Sequence, residues 1–256
     1  MTDRTADLTR INDALDAAVL ALDGFTPGNI EATFKTGDDP LTAADLMVDQ
    51  VLRETLPVAG EGWLSEETAD SPERLGKDRV WIVDPIDGTR EFVQGLPEWC
   101  ISIGLIEDGV PVAGGVHNPA TGERITGALG HGLTYDGRAR ELGGTCLADA
   151  TVGASRSELK RGEWDRFAGK IFNVIPKGSV AYKLALVAAG RIDATWTLVP
   201  KNEWDLAGGA ALLAAAGAWG VLKDGSDPTW NNPDPLVPGF IATTPALRGE
   251  VESLLL

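Results

Sequence analysis

Apolar residues first recur at helical spacing. Leu8, Ile11, Leu15, Val19 and Leu22 are separated by Asp and Arg side chains, which predicts an amphipathic helix. The polar turn "FKTGDDP" follows, then a second amphipathic helix from about Thr42. Trp81-Ile82-Val83 is a continuous apolar run and reads as a buried strand over 80–83. From Cys100 the period falls to two. Antiparallel strands are expected at 100–106, 110–117 and about 123–128, the first two joined by a turn at Glu107-Asp108-Gly109. A short strand at 151–155 precedes a helix at 180–189 closed by Gly190. A strand at 192–197 leads to the Ala-rich buried helix of "EWDLAGGAALLAAAG", ending at Gly217. Strands at 218–222 and near 239–243 and a C-terminal helix complete the pattern. Hairpins mixed with helices indicate an α/β (α+β) class built in layers rather than a doubly wound sheet. Weak apolar periodicity in "RARELGGTCLADA" suggests two lobes, 1–145 and 146–256, within one compact unit.

Composition narrows the function. The chain has 256 residues, of which 43% are hydrophobic, enough for a sizeable core. Its formal net charge of −16 repels nucleic-acid backbones and anionic membranes. A small anion could bind only where something local reverses the field, and a bound metal cation does that. Cys100 and Cys146 form no CxxC pattern, so neither a disulfide framework nor a thiolate metal site is expected. The N-terminal stretch reads as a helix rather than a signal peptide, and no apolar run approaches a membrane span. A cytoplasmic soluble protein is the expectation.

Acids sit at the edges of four apolar elements: Asp45 in "TAADLMVD", Glu66-Glu67 in "LSEET", Asp84 and Asp87 in "DPIDGT", and Asp205 in "EWDLAGG". Three have ordinary structural explanations. Asp45 follows Thr42 at capping-box spacing, Glu66-Glu67 suits a solvated loop, and Asp205 favours a helix N-terminus. "DPIDGT" is harder to explain that way. Pro85 lacks an N–H and pushes Asp84 toward an extended conformation, while Gly88 permits a tight reversal. Both aspartates can then converge with the Ile86 carbonyl between them. Oxygen donors without His or Cys suit Mg²⁺, and Ca²⁺ would accept similar ones. No GxSxG and no GxxxxGK[ST] motif is present, and His117 and His131 have no evident partner for nucleophilic catalysis.

"DPIDGT" after a buried strand, with "SEE" upstream and "WD" opening an Ala/Gly-rich helix downstream, resembles the inositol monophosphatase superfamily of Mg²⁺-dependent, lithium-sensitive phosphatases. The resemblance covers nearly the whole chain. It implies the layered α-β-α-β-α sandwich of the inositol monophosphatase and fructose-1,6-bisphosphatase type. It implies that Glu66, Asp84, Asp87, Asp205 and the Ile86 carbonyl hold two or three Mg²⁺ ions. Thr89 with Asp45 would help orient and deprotonate the attacking water, and Glu66 is counted with them as catalytic. The amides of Gly88 and Thr89 would cradle the phosphate, and Gly178, Ser179 and Val180 would form a second substrate loop. A second "EWD" at 163–165 lacks the following helix, so Asp165 is expected to be a surface acid.

Substrate choice rests on fewer residues. Inositol-phosphate enzymes carry a Glu seven positions before the "WD" aspartate, and here that position is Leu198. "DGTREF" and Lys183 resemble the 3′(2′),5′-bisphosphate nucleotidase (CysQ-type) branch. Lys183 would meet the second phosphate of adenosine 3′,5′-bisphosphate, or else be an exposed helix residue. Trp196 and Trp204 could stack on adenine or belong to the core. The leading expectation is hydrolysis of adenosine 3′,5′-bisphosphate. The alternatives are a phosphatase for inositol 1-phosphate, histidinol phosphate or a related alcohol, and a non-catalytic phosphate- or metal-binding regulator. The expected partner is a small phosphorylated substrate, with no nucleic acid and no membrane, for a monomer or homodimer.

Overall fold

The computed structural model describes residues 3–35, 39–139, 146–167 and 172–256. Its centre is a seven-stranded sheet in the order Gly62–Ser65, Arg79–Asp87, Cys100–Glu107, Val110–Asn118, Glu123–Ala128, Gly132–Tyr135 and Arg138–Ala139. Only the first pair is parallel. The turn at Asp108-Gly109 has both residues at positive φ, +51° and +75°, the tight hairpin geometry that "DG" favours. A five-stranded sheet runs Asn173–Pro176, Thr151–Ala154, Ala194–Thr197, Phe240–Thr243 and Trp219–Leu222.

Three apolar clusters define the layers. The Thr5–Ala21 and Ala43–Thr55 helices bury Ile11, Leu15, Val48 and Leu52 against Trp81, Val83, Ile101 and Ile103 on one face of the large sheet. The Val180–Ala188 and Glu203–Ala216 helices fill the space between the two sheets, joining Val80, Ile82 and Val116 to Phe240. The outer face of the small sheet is covered by Trp164, Phe167, Leu247 and Val251. This is the expected α-β-α-β-α sandwich. Helices from the second half of the sequence pack directly on the sheet from the first half, so the core is continuous. The expected lobe boundary at 145/146 falls on 140–145, outside the described residues.

The middle layer is tight because small residues let backbone meet backbone. A Cβ added at Gly104 would lie 2.7 Å from the Ala207 carbonyl carbon, and one at Gly114 would lie 2.7 Å from the Gly208 oxygen. At the opposite edge, Arg79 joins Glu61, Asp7 and Glu107, and Arg4 and Arg10 extend the network to the first helix. Burial pushes the Glu61 carboxyl up, but hydrogen bonds from Arg10, Trp81 and Arg79 outweigh it and bring it to about 2. Hydrogen bonds from Arg4 and Arg79 hold Glu107 down to about 2 as well.

Several elements differ from expectation. The strand expected at 80–83 runs through the acidic motif to Asp87, because one extra residue is taken up between the pairs Asp84↔Ser102 and Asp87↔Cys100. The segment around "FKTGDDP" contributes a small hairpin, Ala32–Phe34 with Pro40–Thr42. A strand at Asn173–Pro176 and a helix at Arg156–Lys160 were not signalled by periodicity.

Candidate active site

The bulge in the 79–87 strand turns two carboxylates toward one point. Asp84 is 1% exposed, and its Oδ1 accepts the Ile86 N–H at 3.0 Å. Asp205 comes from the first turn of the 203–216 helix, where it accepts the Asn202 N–H at 3.0 Å. One carboxylate oxygen from each of Asp84, Asp87 and Asp205 lies within 4.8 Å of the others. None of the three makes an ion pair with a described Lys, Arg or His. Burial and the charges of Glu66, Asp87 and Asp205 push the Asp84 carboxyl well above its ordinary range. Burial and Asp87 push Asp205 up to about 7, against the pull of Lys201. Clustered carboxylates, Asp84 enclosed and Asp205 half-buried, with no described cation ion-paired to them are a costly arrangement that a divalent ion would relieve. The donors are hard oxygens with no sulfur or imidazole among them, so the set fits Mg²⁺.

Glu66 stands outside this group of three. Lys35 Nζ holds its Oε1 at 2.8 Å and the Oε1 of Glu67 at 2.6 Å. Burial raises the Glu66 carboxyl, against Lys35 and with Asp87, and burial with Glu66 pushes Glu67 up to about 7. The sequence reading missed Lys35. Nothing in "FKTGDD" marked its lysine as the partner of acids 31 and 32 residues away.

Asp45 serves two purposes, one through each oxygen. Oδ2 accepts from the Thr42 amide at 2.8 Å and its hydroxyl at 2.6 Å, completing the capping box. Oδ1 lies 3.0 Å from the Thr89 hydroxyl, which is also 2.9 Å from the Ile86 carbonyl oxygen. Burial raises the Asp45 carboxyl despite its bonds from Thr42 and Thr89. Gly88, at φ +98°, starts the Thr89–Val93 helix and so places its own amide and that of Thr89 at the helix start. A Cβ there would lie 2.9 Å from the Glu98 carbonyl oxygen.

The second loop is tied to the first by Asp87. The Ser179 hydroxyl donates to Asp87 Oδ2 at 2.7 Å, and the Ala181 amide reaches the same oxygen at 2.5 Å. Ser179 has φ +59°, a left-handed conformation unusual for serine. The Gly178 amide donates to Glu98 Oε2 at 2.8 Å, and Arg156 grips both Glu98 oxygens at 2.7 Å. Val180 is half-buried at the start of its helix and packs against the central cluster. Glu98 and Arg156 were also missed, since they are 58 residues apart.

Lys183 is not an exposed helix residue. It is 3% exposed, and its ammonium donates to the carbonyls of Ser179 at 2.6 Å and Lys177 at 3.2 Å. Burial lowers its proton affinity, opposed by Asp87 and Glu158. Leu198 packs with the outer apolar cluster. Trp196 stacks on Trp164 at 4.9 Å and is core, while Trp204 packs on the central cluster. His117 Nδ1 lies 3.1 Å from the Glu123 carbonyl, and burial with Arg124 lowers the ring to about 4. His131 Nε2 accepts the Arg4 amide at 3.1 Å. Asp165 takes no part in the acid cluster. Cys100 is a buried free thiol. No described helix is long and apolar enough to cross a membrane.

Comparisons with known proteins agree with this fold. The sequence profile of the inositol monophosphatase family matches residues 8–254. The chain is similar to an inositol-1-monophosphatase of Rhizobium meliloti, 34% identical over 216 residues and 80% of each chain. Its fold is similar to the extragenic suppressor protein suhB of Bartonella henselae, with TM-score 0.84 and 26% identity over 98% of each chain. It is also similar to CysQ of Bacteroides thetaiotaomicron, with TM-score 0.77 and 26% identity over 93% of this chain and 97% of that one. A profile match across nearly the whole length, with the shared sandwich, leads to one conclusion: the chain belongs to the inositol monophosphatase family of metal-dependent phosphatases.

Proposed function

We propose that this phosphatase removes the 3′-phosphate from adenosine 3′,5′-bisphosphate, using two or three Mg²⁺ ions. The observation that carries the metal reading is the convergence of Asp84, Asp87 and Asp205 within 4.8 Å with no described cation ion-paired to them. These three, with Glu66 and the Ile86 carbonyl, would hold the ions. When bound, the ions supply positive charge to the phosphoryl group and Lewis acidity toward water.

The chain's own residues do the rest. Asp45 Oδ1 and the Ile86 carbonyl hold the Thr89 hydroxyl proton between them, so that a lone pair of Thr89 Oγ1 faces an incoming water. As water attacks, its proton passes to Thr89 Oγ1 and the Thr89 proton passes to Asp45 Oδ1. The Gly88 and Thr89 amides point toward the phosphoryl oxygens. Lys183 and Asp87 fix the 178–181 loop that borders the leaving group.

The nucleotide reading is supported by Leu198, which offers no hydrogen bond to a polyol. A second reading, inositol 1-phosphate, is favoured by the 34%-identical Rhizobium relative, an inositol-1-monophosphatase. Phosphate release across adenosine 3′,5′-bisphosphate, inositol 1-phosphate and histidinol phosphate with excess Mg²⁺ separates the two. Faster turnover of inositol 1-phosphate refutes the nucleotidase reading. The same proposal takes the chain to be cytoplasmic, lithium-sensitive, a monomer or homodimer, and without a nucleic-acid partner. The net charge of −16 supports the last point.

A further inference from the structure

Two carboxylates hold the 178–181 loop. Asp87 takes the Ser179 hydroxyl and the Ala181 amide, and Glu98 takes the Gly178 amide at 2.8 Å. Asp87 belongs to the acid cluster, whereas Glu98 has no part in it. Glu98 is 7% exposed, and Arg156 donates to both of its oxygens at 2.7 Å. A two-pronged guanidinium contact fixes the plane of a carboxylate as well as balancing its charge. Oε2 accepts from Arg156 and from Gly178, so the loop amide rests on a rigid acceptor. Burial pushes the Glu98 carboxyl up, but hydrogen bonds from Arg156 and Gly178 outweigh it and hold it below its ordinary range.

The main chain of Glu98 meets the proposed phosphate cradle. A Cβ at Gly88 would lie 2.9 Å from the Glu98 carbonyl oxygen and 3.1 Å from Trp99 Cα. Trp99 is buried edge-on to Phe92, with ring centroids 4.8 Å apart, and Phe92 lies in the helix that Gly88 starts. Glu91, in the same helix, closes on the second loop, where a Cβ at Gly178 would meet its Cγ at 2.6 Å. Next to Gly178, Ser179 sits at φ +59°. A left-handed serine persists only where its surroundings over-determine it. Glu98 at residue 178 and Asp87 at residues 179 and 181 provide that constraint.

Building on the phosphatase reading above, in which the 178–181 loop borders the leaving alcohol, we propose that Glu98 is a positioning residue for that alcohol and that Arg156 locks it in place. Glu98 fixes the second loop against the Gly88 turn. The phosphoryl group rests on the cradle and the ions, while the alcohol is seated against the loop. The pair therefore governs the fit of the alcohol and not that of the phosphate.

The test uses adenosine 3′,5′-bisphosphate or inositol 1-phosphate, whichever the wild type turns over faster, and inorganic phosphate as an inhibitor that carries no alcohol. With excess Mg²⁺, Glu98→Ala should raise KM about tenfold, change kcat less than about threefold and leave the Ki of phosphate unchanged. Glu98→Gln keeps an acceptor for the Gly178 amide and should fall between wild type and Glu98→Ala. Arg156→Met alters a side chain that is 43% exposed and should raise KM about threefold, again with phosphate Ki unchanged. Equal rises in KM and phosphate Ki, or a fall in kcat alone, overturn the proposal. Should Glu98→Ala not fold, Arg156→Met decides, and an unchanged KM there overturns it. Deuterium uptake at residues 178–181 of the Mg²⁺-loaded protein reads the loop without turnover, and exchange should be about tenfold faster in Glu98→Ala. Unchanged uptake also overturns the proposal. If the wild type releases phosphate from no substrate, the phosphatase reading fails, and the uptake comparison still decides whether Glu98 holds the loop.

Discussion

Asp84→Asn should make the metal-free protein more stable while removing its response to Mg²⁺. Asp84 is enclosed, and two further carboxylates approach it within 4.8 Å; at an effective dielectric of about 20, each full like-charge pair at that distance costs about 3.5 kcal/mol. Part of this is already relieved by proton uptake, since the Asp84 carboxyl is pushed well up by burial and its neighbours. A net gain of about 1–3 kcal/mol for the amide is expected, or roughly 3–8 °C in Tm for a chain of this size. Asn keeps the Oδ1 that accepts the Ile86 amide at 3.0 Å, so the local turn survives. With Mg²⁺ at a thousandfold excess over its Kd, the wild type should gain about 4.1 kcal/mol and overtake the variant. Thermal unfolding in EDTA and in Mg²⁺ measures both arms. A variant that melts below the wild type in EDTA, yet still rises in Mg²⁺, would refute the electrostatic account of the cluster.

Three further outcomes follow from the same geometry. Metal-free protein should be most stable near pH 5. Asp205 has a folded pKa of about 7, above its ordinary 3.8, so its contribution is lost as pH rises from about 4 through 7. Glu61 and Glu107 have folded values of about 2, below the ordinary 4.5, so theirs is lost as pH falls toward 2. Chemical denaturation across this range should show the alkaline loss disappearing when Mg²⁺ is added. Thr89→Val should lower kcat about 100-fold while leaving the Mg²⁺-induced rise in Tm intact, and a loss under threefold would remove the hydroxyl from the mechanism. Gly88→Ala should cost about 1–2 kcal/mol from the left-handed backbone alone, with further loss from the contact at 2.9 Å, and an unchanged Tm would contradict that account.

The acid cluster was legible because its chemistry is carried by residue type. "DPIDGT" and "EWD" announce oxygen donors at the ends of apolar elements, and the structure brings Asp84, Asp87 and Asp205 together. Asp45 shows that the structural and the functional readings of one residue need not compete. One oxygen caps a helix and the other reaches Thr89. Other features were hidden for physical reasons. Proline argues against a continuing strand, so the extension to Asp87 through a bulge could not be read from propensity. A lysine on a helix is ordinarily solvated, and nothing local marks Lys183 as enclosed. The pairings of Lys35 with Glu66 and Arg156 with Glu98 join distant segments, and only the folded chain brings them together.

The glycines of the middle layer have a consequence for the metal cage. Asp205 rides on the 203–216 helix, while Asp84 and Asp87 ride on the large sheet beside it. The gap between helix and sheet is gauged by Gly104, Gly114 and Gly208, where added carbons would collide at 2.5–2.7 Å. The spacing of the three acids is therefore calibrated from behind, by absent side chains in the interior. A single methyl group at Gly104 would lever Asp205 away from its companions, detuning ion capture without altering any of the carboxylates proposed to hold the ion.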